Sequence, residues 1–262
     1  MSFLSWPWPM MEVFGENGEK LGHEYWCLVD WLTSKWSLNE IHSAILFFAG
    51  ALLCIVIPYL LGSINPAILI SKTLYHDDIR NHGSGNAGTT NMLRTYGKRA
   101  AAMTIVLDFG KAILAVVLGR LLLGANGEAI AGLFVGFGHM FPIFYRFRGG
   151  KGVACFAMVG LVIHPLVFVG LIGVFLVVTL GTRYVSLGSV MAALLFPMLI
   201  KWFSPAPASL HVAMGGIATI LVVWMHRDNL KRIWNNEESK LDLSKLKIRK
   251  KKKSDGKEDE NG

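Results

Sequence analysis

The chain has 262 residues, 53% of them hydrophobic and 17% charged, with a formal net charge of +8. Long runs almost free of charge between Ile45 and Met225 exclude an ordinary soluble core and point to an integral membrane protein. The positive charge gathers in loops and tail, without a basic stripe interleaved with aromatics, so an anionic leaflet is a better partner than nucleic acid.

Residues 1–43 read as an extracytoplasmic arm carrying Trp6, Trp8, Trp26, Trp31 and Trp36. Tryptophan favours the headgroup zone, and an interfacial helix fits around Trp26–Trp36. The arm lacks the basic start of a signal peptide. Residues 44–232 form the membrane domain, and 233–262 a basic, disordered tail.

The first span runs from Ile45 to Leu61 and on to Ile70, bent by Pro58 and Pro66. The second covers Ala100–Leu123, with a turn at Asn126-Gly127, and the third Ala129–Tyr145. Val153–Ile163, a break at His164-Pro165, Leu166–Leu180, Leu187–Ile200, the turn Ser204-Pro205-Ala206-Pro207 and Leu210–Met225 complete the series. The fold class is all-α and polytopic, with about seven transmembrane helices. Val153–Ile163 is the weak member, since eleven residues rise about 16 Å against a core of roughly 30 Å. It is tilted, extended by its flanks, or half of a re-entrant hairpin.

Lysine and arginine orient the spans. Lys72, Arg80, Arg94, Lys98 and Arg99 share one loop; Arg146, Arg148 and Lys151 the next; Arg183 follows, then Arg227, Lys231, Arg232 and Lys250–Lys253. The turns between these groups are nearly neutral. All four basic groups therefore face the cytoplasm, with the N-terminus outside and the C-terminus inside.

The polar motifs fall on that same face. His82 to Arg94 is rich in glycine, hydroxyl and amide groups: the glycines admit close backbone approach, Ser84, Asn86 and Asn91 offer neutral donors, and Arg94 a planar fork for phosphate. The plainer alternative is a flexible connection. Gly149-Gly150-Lys151-Gly152 is no Walker A motif; it opens a helix, where an anion is favoured, or else anchors topology. His139 lies near the same face, as a ligand contact or a packed residue. Asp108 and Lys111 are three apart in an apolar span and can pair as a buttress. Ser186 and Ser189 sit where a helix starts, so capping competes with a binding role. His226 to Asn229 closes the last span. Cys27, Cys54 and Cys155 have neither a paired pattern nor metal-ligand spacing, so neither metal nor cofactor is expected.

Gly62-Ser63-Ile64, Gly83 to Asn91, Leu107 to Lys111, Gly138 to Pro142, Gly149 to Ala154, Arg183 to Ser186 and His226 to Asn229 occur in the order of the PlsY family. Over roughly Leu60–Arg232 the chain resembles these bacterial acyl-phosphate:glycerol-3-phosphate acyltransferases. The resemblance implies a seven-helix enzyme of the bacterial inner membrane, making lysophosphatidic acid from acyl phosphate and glycerol 3-phosphate without acyl-CoA or acyl carrier protein. It implies catalytic roles for Ser84 and His226. It implies substrate contacts from Asn86, Asn91, Arg94, His139, Gly149, Gly150, Lys151, Gly152, Ser189 and Asn229. Arg94 and Lys151 would hold phosphates, Gly149, Gly150 and Gly152 would present N–H groups to the acyl phosphate, and Ser189, His226 and Asn229 would place glycerol 3-phosphate. A glycerolipid acyltransferase with a His-x4-Asp dyad is disfavoured, because no histidine has an aspartate five residues later. An organic-anion transporter is the non-enzyme alternative; it would place its polar site at the midplane between repeats, and no repeat is evident.

Overall fold

The computed structural model describes residues 10–14, 20–25, 27–204 and 209–241. Trp6, Trp8, Trp26, the turn after Ser204 and the tail beyond residue 241 lie outside the described residues. Within the arm, β1 (Met10–Phe14) and β2 (Lys20–Tyr25) pair antiparallel with an irregularity at Val13/Phe14, an element the sequence reading did not anticipate. Where an interfacial helix is expected, around Trp26–Trp36, the chain forms helix α1 (Leu28–Lys35), with Lys35 over the Trp31 ring. From there to residue 241, every regular element among the described residues is helical.

α2 (Glu40–Ser63) starts where Asn39 Oδ1 accepts the His42 N–H at 3.0 Å, and Glu40 adds negative charge to its first turn. The chain then breaks at Ile64 and Asn65. Asn65 caps α3 (Pro66–Leu74) through the Ile68 N–H at 3.1 Å, and Pro66 is its first residue. Pro66 thus starts a second helix, whereas Pro58 stays inside α2. α4 (Thr89–Thr95) follows the glycine-rich loop.

α5 (Lys98–Met140) is 43 residues, a straight-rod length of about 64 Å, roughly twice the hydrocarbon core. It does not run straight. Leu123 and Gly124 leave helical dihedrals, and Gly124 takes φ +58°. Gly119 and Gly127 would lie about 12 Å apart on a straight helix, yet a Cβ on either would strike the carbonyl oxygen of the other. The element is therefore an antiparallel hairpin of 98–122 and 125–140. The reversal falls at Leu123-Gly124, ahead of the expected Asn126-Gly127, because Gly124 supplies the positive φ and Gly127 the close approach.

α6 (Val153–Ile163) ends at His164, whose ring caps α7 (Pro165–Thr182); α8 (Val185–Phe203), α9 (Ser209–Met225) and α10 (Arg227–Trp234) complete the chain. Cys155, Phe156, Met158 and Val159 of α6 lie in the main core with Val116 and Val135 of α5, Phe196 of α8 and Met214 of α9. Short as it is, α6 is enclosed by other helices, so lipid does not have to match its length.

Among the described residues four helical stretches are long and apolar enough to cross a bilayer, and α9 with α10 makes a fifth across a 53° bend. Their outer faces carry large apolar side chains such as Phe48, 71% exposed, and Val177, 74% exposed. In water such surface would be costly; against lipid it is satisfied.

Candidate active site

The first wall is the loop between α3 and α4. Asn91, 1% exposed, holds it together from within. Its Oδ1 accepts the Ser84 N–H at 3.1 Å, and its Nδ2 lies within 2.9–3.2 Å of the Ile79, His82 and Asn86 carbonyls. The amide expected to contact substrate is thus engaged inside the loop, and it sets the position of Ser84 and Asn86.

The second wall is the turn from α5 into α6. Gly149 and Gly150 do not line the cavity described below. Their N–H groups donate to Met140 O at 3.2 Å and His139 O at 3.1 Å, and are not presented to a ligand as expected. A Cβ at either position would collide with His139, so glycine is required there for packing. Gly152 takes φ +76° and starts α6 with no side-chain cap, at the cavity wall. The first N–H groups of α6 belong to Val153 and Ala154, both cavity residues.

Behind this wall sits a buried polar cluster. Lys111 Nζ lies 2.9 Å from Asp108 Oδ1, the ion pair expected from their spacing, and donates to Gly62 O at 3.1 Å and Ile64 O at 2.8 Å. His139 Nδ1 is 3.2 Å from Asp108 Oδ1 and 2.9 Å from Lys111 Nζ. The cluster ties α2, both arms of α5 and the Gly149-Gly150 turn together. Asp108, His139 and Cys155 bring three ligand-type atoms within 4.8 Å of one another. The Lys111 ammonium already supplies the positive charge a metal ion would bring there.

These walls, with α7 to α10, enclose a cavity of about 730 Å³. Ser84, Asn86, Asn91, Arg94, His139, Lys151, Gly152, Ser189, His226 and Asn229 all line it. The chain brings together ten of the twelve residues singled out from sequence, across 146 positions from Ser84 to Asn229. Polar groups crowd one end. The other end is apolar, formed by Leu171, Phe175, Ala192, Phe196, Ala218 and Val222.

At the polar end Lys151 Nζ donates to Asn229 Oδ1. Asn229 Nδ2 donates to Glu238 Oε1 at 2.6 Å, Ser186 Oγ to the same oxygen at 2.9 Å, and Arg232 Nε to Oε2 at 2.8 Å. Burial pulls the Lys151 ammonium down to about 8, with Glu238 opposing the shift. Neither serine caps α8: Ser189 Oγ donates to Val185 O at 2.9 Å, and the cap position is Tyr184. Arg232 and Glu238 escaped the sequence reading. Arg232 shares a face with Asn229 on α10, one turn beyond the His226 to Asn229 motif, where its charge reads only as part of a basic orienting group. No local signal marks Glu238.

No hydrogen bond links Ser84 Oγ to a base among the described residues. His82 Nε2 pairs with Asp77 Oδ2 at 2.5 Å. His226 Nδ1 donates to Val222 O at 2.8 Å, which leaves Nε2 with the lone pair in the neutral ring.

Residues 52–236 match the family model of glycerol-3-phosphate acyltransferase. A glycerol-3-phosphate acyltransferase of Geobacillus kaustophilus is 43% identical over 189 residues, covering 72% of this chain and 95% of that protein. One from Thermoanaerobacter sp. (strain X514) is 40% identical over 193 residues, 73% of this chain and 96% of that protein. The crystal structure of PlsY, an integral membrane glycerol 3-phosphate acyltransferase, in its glycerol 3-phosphate form superposes with a TM-score of 0.69 at 33% identity, covering 75% of this chain and 98% of that one. Its lysophosphatidic acid form gives 0.67 at 30% identity, over 75% and 97%. The helical membrane architecture and these matches together place the chain in the PlsY family of integral membrane glycerol-3-phosphate acyltransferases.

Proposed function

We propose that the protein transfers a fatty acyl group from acyl phosphate to glycerol 3-phosphate, giving lysophosphatidic acid and inorganic phosphate. The observation that carries this is the shape of the cavity, a cationic, hydroxyl-lined end continuing into an apolar limb. An acyl phosphate has that same division, and the relatives' name supplies the acceptor. Arg94 and Lys151 hold phosphate groups, and the N-terminus of α6 with Gly152 faces the donor phosphate. Ser189, His226 and Asn229 place the acceptor. Ser84 and Asn86 donate to a substrate oxygen, from positions that Asn91 fixes, and His139 supports the Gly149-Gly150 turn.

The step is a direct displacement. The acceptor hydroxyl oxygen attacks the acyl carbonyl carbon, the carbon–oxygen bond to phosphate breaks, and phosphate leaves with the bonding electron pair. The hydroxyl proton goes to the departing phosphate, either directly or through His226 Nε2. The donor is already activated, so no covalent enzyme intermediate is needed.

The membrane arrangement follows the charge pattern: seven crossings with α5 counted twice, the N-terminal arm outside, and the cavity's polar end at the cytoplasmic face of a bacterial inner membrane. Residues 1–43 form the arm, 44–232 the catalytic domain and 233–262 a basic extension, whose lysine-rich stretch Lys245–Lys253 suits anionic lipid. Coupled phosphate release tests the reaction. Phosphate should leave palmitoyl phosphate only when glycerol 3-phosphate is present; release at the same rate without acceptor contradicts it.

A further inference from the structure

After α10 the chain turns back on itself. Asn236 takes φ +60°, and the Glu237 and Glu238 N–H groups both donate to Arg232 O, at 2.7 and 3.2 Å. The returning strap, 236–241, crosses the polar end of the cavity, where Glu237, Glu238 and Ser239 line the wall. It is fastened on the far side by the Leu241 N–H to Arg183 O at 2.7 Å and, more weakly, by Arg94 Nη2 to Ser239 O at 3.4 Å.

The Glu238 side chain is 8% exposed. Its carboxylate takes a hydroxyl from Ser186, an amide from Asn229 and a guanidinium from Arg232, while the Lys151 ammonium sits one link away on Asn229. Hydroxyl, amide, guanidinium and ammonium around one oxyanion make a set that suits a phosphate monoester equally well. With three donors on it, this carboxylate is a poor proton acceptor, which argues against a role as general base.

We propose that the strap is a resident competitor: the Glu238 carboxylate fills the phosphate subsite made by Lys151, Ser186, Asn229 and Arg232, and an incoming phosphate monoester must displace it. The proposal rests on the phosphate-binding reading of that cluster. Affinity for the phosphate ligand is then lowered by the fraction of time the strap is seated. Glu238 is in this sense an affinity-setting residue.

Calorimetric titration of the purified full-length protein separates the possibilities. Glycerol 3-phosphate and inorganic phosphate are each titrated into wild type, Glu238→Gln and a chain ending at residue 236. Size-exclusion elution shows that each protein is folded. Glu238→Gln and the shortened chain should bind both ligands about fivefold or more tightly than wild type, as for a strap seated four-fifths of the time. Tightening for inorganic phosphate alone keeps the strap and removes glycerol 3-phosphate as the ligand of this subsite. Unchanged or weaker binding of both ligands in the two variants overturns the proposal. Binding of neither ligand by any of the three proteins overturns the strap and the phosphate reading together.

Discussion

At the scale of single residues, Arg94 in α4 and Lys151 in the turn before α6 stand 57 positions apart in the chain and line one cavity. Hydrogen bonds to charged groups contribute about 1.5–3 kcal/mol, and 1.36 kcal/mol corresponds to tenfold in rate. Arg94→Ala and Lys151→Ala should therefore each lower kcat/KM by roughly 10- to 150-fold in a coupled assay on folded protein. Near-normal rates would make both residues topology anchors only. Lys151 also sets a pH dependence. Its ammonium, lowered to about 8 by burial, is charged below that pH and neutral above it. Affinity for a phosphate dianion should thus fall as pH rises through about 8, visible as an alkaline limb in kcat/KM. In Lys151→Arg, where the charge persists, that limb should move to higher pH; an identical limb in the variant would assign it to another group. Ser84 should not become acylated, since neither His82 nor His226 bonds to it. Enzyme mixed with radiolabelled acyl phosphate and no acceptor, then quenched in acid, should carry no stoichiometric label. Label that vanishes on adding acceptor and is absent in Ser84→Ala would establish a two-step route.

At the scale of elements, the hairpin in α5 decides where everything else sits. Its two arms pass so closely that Gly119 and Gly127 have no room for side chains. Gly119→Leu should force the arms apart, at an overpacking cost of about 1–3 kcal/mol or more. The result should be a lower melting temperature in detergent and a loss of activity from a position far from the cavity. A variant as stable as wild type would mean the arms do not touch there. Helices and motifs were largely legible in the sequence: the bounds of α6 and α7 follow from the Gly152 start and the His164-Pro165 break. The reversal in α5 was displaced by a few residues, because Asn-Gly is a turn signal that a helix can absorb when its glycine is needed for packing. α10 lies in a short basic stretch at the edge of the membrane domain, which reads as an orienting charge group and not as a helix, and the hairpin β1–β2 lies in an arm without alternating pattern. Gly149 and Gly150 show the opposite error. A glycine-rich loop beside a lysine signals anion binding, yet the backbone N–H groups of these two already close the turn onto α5.

At the scale of the whole molecule, the sequence reading and the structure meet at the cavity. Chemistry visible only as separated motifs, from Ser84 to Asn229, lines one chamber. Contacts made by Glu238 were illegible, because nothing in a chain's local pattern tells which loop will return across a site. Orientation has its own check. Cysteines placed at Ser34 and Ser254 should label from opposite sides of sealed vesicles, as an odd number of crossings requires; labelling of both from one side contradicts the seven-crossing arrangement. The most direct test of the central claim is product formation by purified protein in detergent, where transport across a membrane cannot occur. Given glycerol 3-phosphate with palmitoyl phosphate in one reaction and palmitoyl-CoA in another, mass spectrometry should find lysophosphatidic acid and an equal amount of inorganic phosphate in the first only. Lysophosphatidic acid from the CoA ester alone, or from neither donor, would contradict the account.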